Sequence, residues 1–294
     1  MKNFIKSNYN MYPKKIYKEN KMYYFFSGND KIIIFKTNKD KKYLDNRVNI
    51  SNEIYKSGIN ISTFLINRFG EYYTKKDNEY IVLLKFNDIN VNKLNLSDIS
   101  KYNVNNNVNL DKLDIIKIME KKIDTLEQEM MEYNKEFPII QQSLNYFIGL
   151  SENAIQMLKD INFNEDTIGH NLSIHKFNIY ELDNPFNFVK VNKMHDLALY
   201  FKYKFYYDYI DYDELYKILY NRVFTKEDLI YFFCMMLYQN EYFDDVKDVL
   251  LNKKDEKYLN IYINNVNKYK ELLKYIKENM HNINQIAELE WIDK

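Results

Sequence analysis

Little in this 294-residue chain is suited to several common chemistries. It has one cysteine, Cys234, so no internal disulfide can form, and a thiolate zinc site needs several such ligands. Five glycines are spread at positions 28, 58, 70, 149 and 169 and never form GxGxxG or GxxxxGK[ST]. Phosphate-cradling loops need glycine so that backbone N–H groups can approach the ligand, and their absence excludes a Rossmann fingerprint and a P-loop. The charge is balanced, with 42 Lys+Arg against 42 Asp+Glu. The long-range positive field on which sequence-independent nucleic-acid binding depends is therefore missing, and no nucleic-acid partner is expected. No apolar run reaches the roughly 20 residues of a membrane helix, and the first residues hold no signal-peptide apolar stretch, so no membrane partner is expected either. With a lone cysteine, the expected compartment is reducing and cytoplasmic.

What the chain does have is apolar residues at 46%, 29 tyrosines and 19 phenylalanines. Together with abundant Asn, Lys and Ile, all encoded by A/T-rich codons, this bias reads mainly as the mark of an AT-rich genome. Because the tyrosines run the whole length of a chain of no net charge, they are read as core and interface rather than as a base-stacking surface.

Two β-rich runs around Ser27-Gly28-Asn29-Asp30 predict a hairpin over residues 22–37. Val48, Ile50 and Ile54 predict a short helix over 45–57, ended by Gly58. A strand pair follows over 62–86, parted by Lys75-Lys76-Asp77-Asn78. Residues 87–110 are Asn-rich and weakly periodic and read as a linker. From 111 onward the spacing is helical: Leu113, Ile116, Met119, Ile123, Leu126 and Met130 recur every three or four residues until Pro138 stops or kinks the run. A second helix is expected over about 142–161, and a short, polar, strand-like stretch over 166–191. Helical spacing then resumes at Met194, and Thr225-Lys226-Glu227-Asp228 resembles a capping box. The expected class is α+β, a bilobal protein-kinase-like fold. Its small β-rich N-terminal lobe spans 1–86, the linker 87–110, and the larger, mainly helical C-terminal lobe 111–294.

That outline invites a search for the parts of phosphoryl transfer. Lys36 ends the strand-like Ile32-Ile33-Ile34-Phe35-Lys36, and Glu53 lies 17 residues on in the expected helix, a candidate nucleotide-binding lysine–glutamate pair. The alternative is two solvated charges. The candidate catalytic loop is Gly169-His170-Asn171-Leu172. Leu172 takes the place of the aspartate in an H-x-D loop, and it can neither accept a proton nor orient a hydroxyl. At the place of the aspartate that holds Mg²⁺ stands Asn187, within Leu182-Asp183-Asn184-Pro185-Phe186-Asn187. A neutral amide is a poorer ligand for a hard dication than a carboxylate. Asp183 is the candidate compensating ligand, or a turn residue before Pro185. His170, His175 and His195 are spaced five and then twenty apart and match no metal-ligand pattern. Cys234, in Phe232-Phe233-Cys234-Met235-Met236, reads as a small buried hydrophobe.

The chain also resembles a family. Leu126-Glu127, the run from Leu144 through Gly149-Leu150-Ser151-Glu152-Asn153-Ala154-Ile155-Gln156, Gly169-His170-Asn171, Pro185 to Val189, Asp196-Leu197-Ala198 and Ile286 to Trp291 are similar to spore coat proteins of the YutH/CotS type. These belong to the aminoglycoside/choline phosphotransferase superfamily. The resemblance implies a two-lobed kinase-like fold and a place in a spore coat, with other coat proteins as partners. Active superfamily members carry His-Gly-Asp, a downstream Asn and a metal-binding Asp. Here Asn171, Leu172 and Asn187 depart from that pattern, and Asn178 is the one matching polar residue. The expectation is a pseudokinase with no cofactor and no metal site. ATP and Mg²⁺ enter only under the alternative, a divergent phosphotransferase using Lys36, Glu53 and Asp183. The Tyr-rich stretch 200–212 is a candidate interface or, alternatively, a helix packed on its own lobe.

Overall fold

The structure is a computed structural model that describes residues 1–19, 22–86, 94–102, 109–133 and 137–281. Its first sheet grows from local turn chemistry. Strands β1 (Tyr17–Glu19), β2 (Met22–Ser27) and β3 (Asp30–Thr37) form an antiparallel meander. The β2–β3 turn closes with Ser27 opposite Asp30 and Gly28 at φ +61°, the left-handed backbone that a two-residue hairpin loop demands. Helix α2 (Lys41–Lys56) is opened by Asp40, whose carboxylate accepts from the Tyr43 N–H, and Gly58 lies just beyond it at φ +89°. Strands β4 (Thr63–Phe64), β5 (Tyr73–Lys76) and β6 (Glu79–Phe86) complete six strands in the order β1-β2-β3-β6-β4, with β5 also on β6. The expected hairpin, helix and strand pair are all present. Helix α1 (Lys2–Tyr9) and β1 were not foreseen, because α1 buries only Ile5 and Tyr9 amid polar residues.

The two faces of this sheet are both covered. Ile33, Val82, Leu84 and Phe86 pack with Leu44 and Val48 of α2. Ile32, Ile34, Ile81 and Leu83 pack with Ile5 and Tyr9 of α1. Successive side chains of a strand point to opposite faces, so β3 divides cleanly: Lys31, Ile33 and Phe35 stand on the α2 side, and Ile32, Ile34 and Lys36 on the α1 side.

The chain forms two compact units. The first holds Met1–Asp111 with Asn178–Val189, and includes α3 (Leu96–Ser100). The sequence reading keeps residues 178–189 with the helical part, and parts of its 87–110 linker lie outside the described residues. The second unit holds Lys112–Phe177 and Lys190–Lys294. Its first helices are α4 (Ile115–Tyr133) and α5 (Pro138–Lys159). Pro138 does not end a helix but begins one, at a position whose N–H needs no intrahelical partner. Next come β7 (Thr167–His170), a 3₁₀ turn at Ile174–Lys176, and α6 (Ile179–Leu182), which belongs to the first unit. Strand β8 (Phe188–Val191) pairs with β7 and brings the chain back into the second unit at Lys190.

The rest is helical: α7 (His195–Tyr207), α8 (Tyr212–Leu219), α9 (Lys226–Leu237), α10 (Asn240–Leu250), α11 (Asn260–Ile263) and α12 (Val266–Asn279). The capping box at Thr225 is present, with Thr225 Oγ1 accepting from the Asp228 N–H at 3.2 Å and Asp228 Oδ2 from the Thr225 N–H at 2.8 Å. Helix α9 is buried on every side from Asp228 to Leu237, the mark of a central core helix. Among the described residues no helix is long and apolar enough to cross a membrane.

Candidate functional site

In the second unit the loop after β7 hangs on one carboxylate. Asp196, in the first turn of α7, accepts from the His170 N–H at 3.2 Å, and its Oδ2 lies 2.7 Å from His170 Nδ1. His170 is wholly buried and Asp196 nearly so. Gly169 permits this closeness, since a Cβ there would lie 2.3 Å from Val191 Cγ2 and 3.0 Å from Asp196 Oδ2. Beyond the clamp, Asn171 is exposed and Leu172 half-buried, so the loop offers solvent an amide and an isobutyl group.

His195 and His175 have separate partners. His195 is buried with Nδ1 3.0 Å from the Tyr231 hydroxyl, and burial pushes its pKa down. His175 places Nε2 3.2 Å from Asp245 Oδ1 and Nδ1 2.8 Å from the Tyr207 hydroxyl. Asp245 also accepts from Lys254 and, at 2.6 Å, from the Tyr262 hydroxyl. Burial opposes ionisation of both partners, but the contact with Asp245 holds His175 above the usual imidazole value. The donors around Asp245 hold that carboxyl below the usual range. Among the described residues no group of three or more His, Cys, Asp or Glu is arranged to hold a metal ion. Cys234 is buried, and burial pushes its thiol pKa up.

In the first unit the expected Lys36–Glu53 pair does not form. Lys36 is exposed on the α1 side of the sheet, its ammonium 5.9 Å from the Tyr23 ring centroid, while Glu53 is exposed on α2. Strand alternation is the reason: the face that looks toward α2 carries Phe35 and Lys31 instead. Phe35 stacks on Phe186 at 4.2 Å between centroids and 14° between planes, and Phe64 meets the same ring at 5.7 Å. Lys31 is only 5% exposed, its ammonium 3.7 Å from the Tyr180 ring centroid and 4.2 Å from that of Tyr24. From α2, the inward charge is Arg47, which donates to the Phe188 carbonyl at 2.8 Å and the Pro185 carbonyl at 3.4 Å.

The segment that carries the remaining candidates is itself a web of structural bonds. Asn178 caps α6, its Oδ1 accepting from the Tyr180 and Glu181 N–H groups. Asp183 accepts from Lys101 at 2.6 Å and from the Tyr102 hydroxyl at 2.5 Å, while its carbonyl accepts from the Ser62 N–H and hydroxyl. Asn187 Nδ2 donates to both the Glu181 carbonyl and Glu181 Oε2, each at 2.8 Å. An amide nitrogen has two protons to give, and both are used within this segment. Arg47, Lys31, Glu181 and the Phe35–Phe186 stack were not singled out in the sequence. The only signal for Arg47 is its three-residue step from Leu44, on the flank that also buries Val48 and Ser51.

Residues 2–286 match the family described as "spore coat putative kinase YutH". The chain belongs to this family. No curated protein matches it. Among solved structures, this YutH-family chain is similar to an aminoglycoside phosphotransferase from Alicyclobacillus acidocaldarius subsp. acidocaldarius DSM 446, with a TM-score of 0.67, 9% identity, and 96% of this chain and 97% of that one covered. It is also similar to spectinomycin phosphotransferase APH(9)-Ia in complex with ADP and spectinomycin, at TM-score 0.57 and 13% identity, with 97% and 94% covered. The AMP-bound form of that enzyme gives 0.60 and 12%, with 97% and 95% covered. At such identities the likeness establishes the fold, which is protein-kinase-like.

A hard dication wants anionic oxygens; of the two carboxylates in the 178–189 segment, Asp183 is held by Lys101 and Tyr102, and Glu181 accepts from Asn187. On the α2-facing side of β3, the Phe35–Phe186 stack lies alongside Lys31, whose ammonium sits over tyrosine rings.

Proposed function

We propose that this YutH-family chain is a catalytically inactive kinase-like module that serves spore-coat assembly by binding other coat proteins from the mother-cell side. One observation supports the reading: the Asn187 amide, which the sequence reading sets in the place of a phosphotransferase's metal-binding carboxylate, gives both of its protons to Glu181. Leu172 in the loop and the displacement of Lys36 to the other face of the sheet agree with it. Loss of a general base or of a metal ligand ordinarily costs a phosphotransferase several orders of magnitude. The test is a thermal-shift titration with ATP and Mg²⁺ alongside a γ-phosphate transfer assay. The expected outcome is no shift and no transfer. Metal-dependent transfer that is lost in Asp183→Ala would overturn the reading in favour of a divergent phosphotransferase acting on a small molecule or protein.

A further inference from the structure

The chain as a whole is electrically balanced, but its charge is not evenly spread. Residues 1–18 hold five lysines and no acid, so the remainder carries an excess of five acidic groups. The basic end is folded into a concave feature of the first unit. A cavity of about 640 Å³ is lined by Tyr12, Lys14, Lys15 and Tyr17 on one side and by Phe25 and Phe26 of β2 on the other. Tyr12 is 67% and Phe26 43% exposed, large rings left open to solvent. Lys15 lies over the Tyr17 ring at 5.0 Å within the cup, and Lys6, outside its lining, lies over the Tyr12 ring at 5.2 Å. Its volume falls within the roughly 300–1,000 Å³ range of ligand-binding pockets, and no carboxylate is among the side chains lining it.

The second unit bears the complement. Between Lys204 and Lys217 the chain reads Phe-Tyr-Tyr-Asp-Tyr-Ile-Asp-Tyr-Asp-Glu-Leu-Tyr, with four acids and no base. It overlaps the stretch 200–212 singled out in the sequence, and the structure divides it. Tyr200 and Phe201 are buried within their own unit, whereas Tyr207, Asp208, Tyr209, Asp211, Tyr212 and Asp213 are exposed, Tyr209 at 74%. Asp208 is paired with Lys204 at 2.7 Å, and Asp211 caps α8. Asp213 and the rings of Tyr209 and Tyr212 reach solvent at this turn.

We propose that the basic aromatic cup lined by Tyr12, Lys14, Lys15, Tyr17 and Phe26 binds the acidic tyrosine turn at 207–213 of a second copy of the chain. The pairing follows from chemistry: lysines meet carboxylates, and tyrosine rings meet rings and ammonium groups. A nucleic acid is disfavoured as occupant because the cup is concave and holds no arginine, the side chain suited to bidentate phosphate. Cup and turn are different surfaces, so the contact is heterologous. Such contacts generate rings or open chains rather than closed pairs, a mode suited to a layer-forming protein. This inference takes its biological meaning from the non-catalytic reading above, but its test does not depend on that reading.

The experiment is sedimentation velocity on the full chain and two charge-reversed variants. Lys14→Glu with Lys15→Glu makes the cup acidic; Asp208→Lys with Asp213→Lys makes the turn basic. The wild type is expected to self-associate, weakening by roughly tenfold or more as ionic strength rises from about 0.05 to about 0.5 M, where screening shortens severalfold. Each variant alone is expected to stay monomeric, and an equimolar mixture to associate again, because the acidic cup of one meets the basic turn of the other. Circular dichroism verifies that each variant is folded; a turn variant that fails to fold is replaced by Asp213→Lys with Tyr209→Ala, expected to weaken association at least tenfold. A monomeric wild type at high concentration and low salt would overturn the inference, as would variants that associate like the wild type. Binding of a polyglutamate peptide or an oligonucleotide by a chain that stays monomeric would overturn it in favour of that other occupant. Phosphotransfer, by contrast, would sink the non-catalytic reading and leave this one standing.

Discussion

Replacing Asn187 by aspartate changes one atom type and reverses the electrostatics of its segment. In the native chain the amide gives two hydrogen bonds at 2.8 Å, to the Glu181 carbonyl and carboxylate. Asn187→Asp removes both, worth about 0.5–1.5 kcal/mol each. It also sets a second carboxylate against Glu181, which at water-like screening adds about 1.5 kcal/mol of repulsion. Since both side chains are partly solvated, a total of about 3 kcal/mol is expected at neutral pH, or roughly 5–10 °C in melting temperature. The variant should regain most of this below about pH 4, where one carboxyl takes up a proton. Millimolar Mg²⁺ should raise its melting temperature while leaving the wild type unmoved, because the substitution sets a new carboxylate facing that of Glu181. Differential scanning calorimetry with and without Mg²⁺ reads both effects. A variant as stable as the wild type in metal-free buffer would refute the reasoning, because it would mean that the amide is not committed to Glu181.

Other outcomes follow from the same geometry. Arg47→Ala strands the Pro185 and Phe188 carbonyls that the guanidinium satisfies and should cost about 2–4 kcal/mol, measured by denaturant unfolding; Arg47→Lys, which retains one donor, should cost less. Gly169→Ala drives a methyl group into Val191 and Asp196 and should destabilise by about 1–3 kcal/mol, with earlier hydrogen exchange at His170 as the local readout. The folded pKa of His175 is raised above its ordinary value, so the native state holds the proton more tightly than the unfolded one. Its contribution is full below about pH 6.5 and fades as pH rises through the folded value. Unfolding free energy measured from pH 6 to 9 should therefore fall more steeply in the wild type than in His175→Asn, and parallel curves would exclude the His175–Asp245 contact.

Much of the fold is legible because its signals are local. Ser27-Gly28-Asn29-Asp30 needs only backbone freedom at Gly28, and Thr225 with Asp228 needs only four consecutive residues. The face on which Lys36 emerges and the unforeseen α1 both come from interactions that cross the sequence. Ile32, Ile33 and Ile34 are all buried because α1 covers one face of the sheet and α2 the other. An unbroken apolar run carries no period of two, and the side on which Lys36 emerges cannot be read from it. Helix α1, which buries the second face, is itself too polar between Ile5 and Tyr9 to announce itself. The site was half visible. Leu172 and Asn187 stand out against the chemistry a phosphotransferase requires, but Asn187's partner depends on Glu181 folding back six residues, and Asp183's on Lys101 and Tyr102 some eighty residues away. Asp196 was marked by its neighbours Leu197 and Ala198, while its grip on the His170 loop emerges only when β7 and α7 meet.

The most direct measurement is electron paramagnetic resonance of Mn²⁺ titrated into the full chain with ATP. The account predicts the spectrum of Mn²⁺–ATP free in solution at every protein concentration, because among the described residues no group of three or more His, Cys, Asp or Glu is arranged to hold the ion. A saturable protein-bound signal at one ion per chain, abolished in Asp183→Ala, would contradict it.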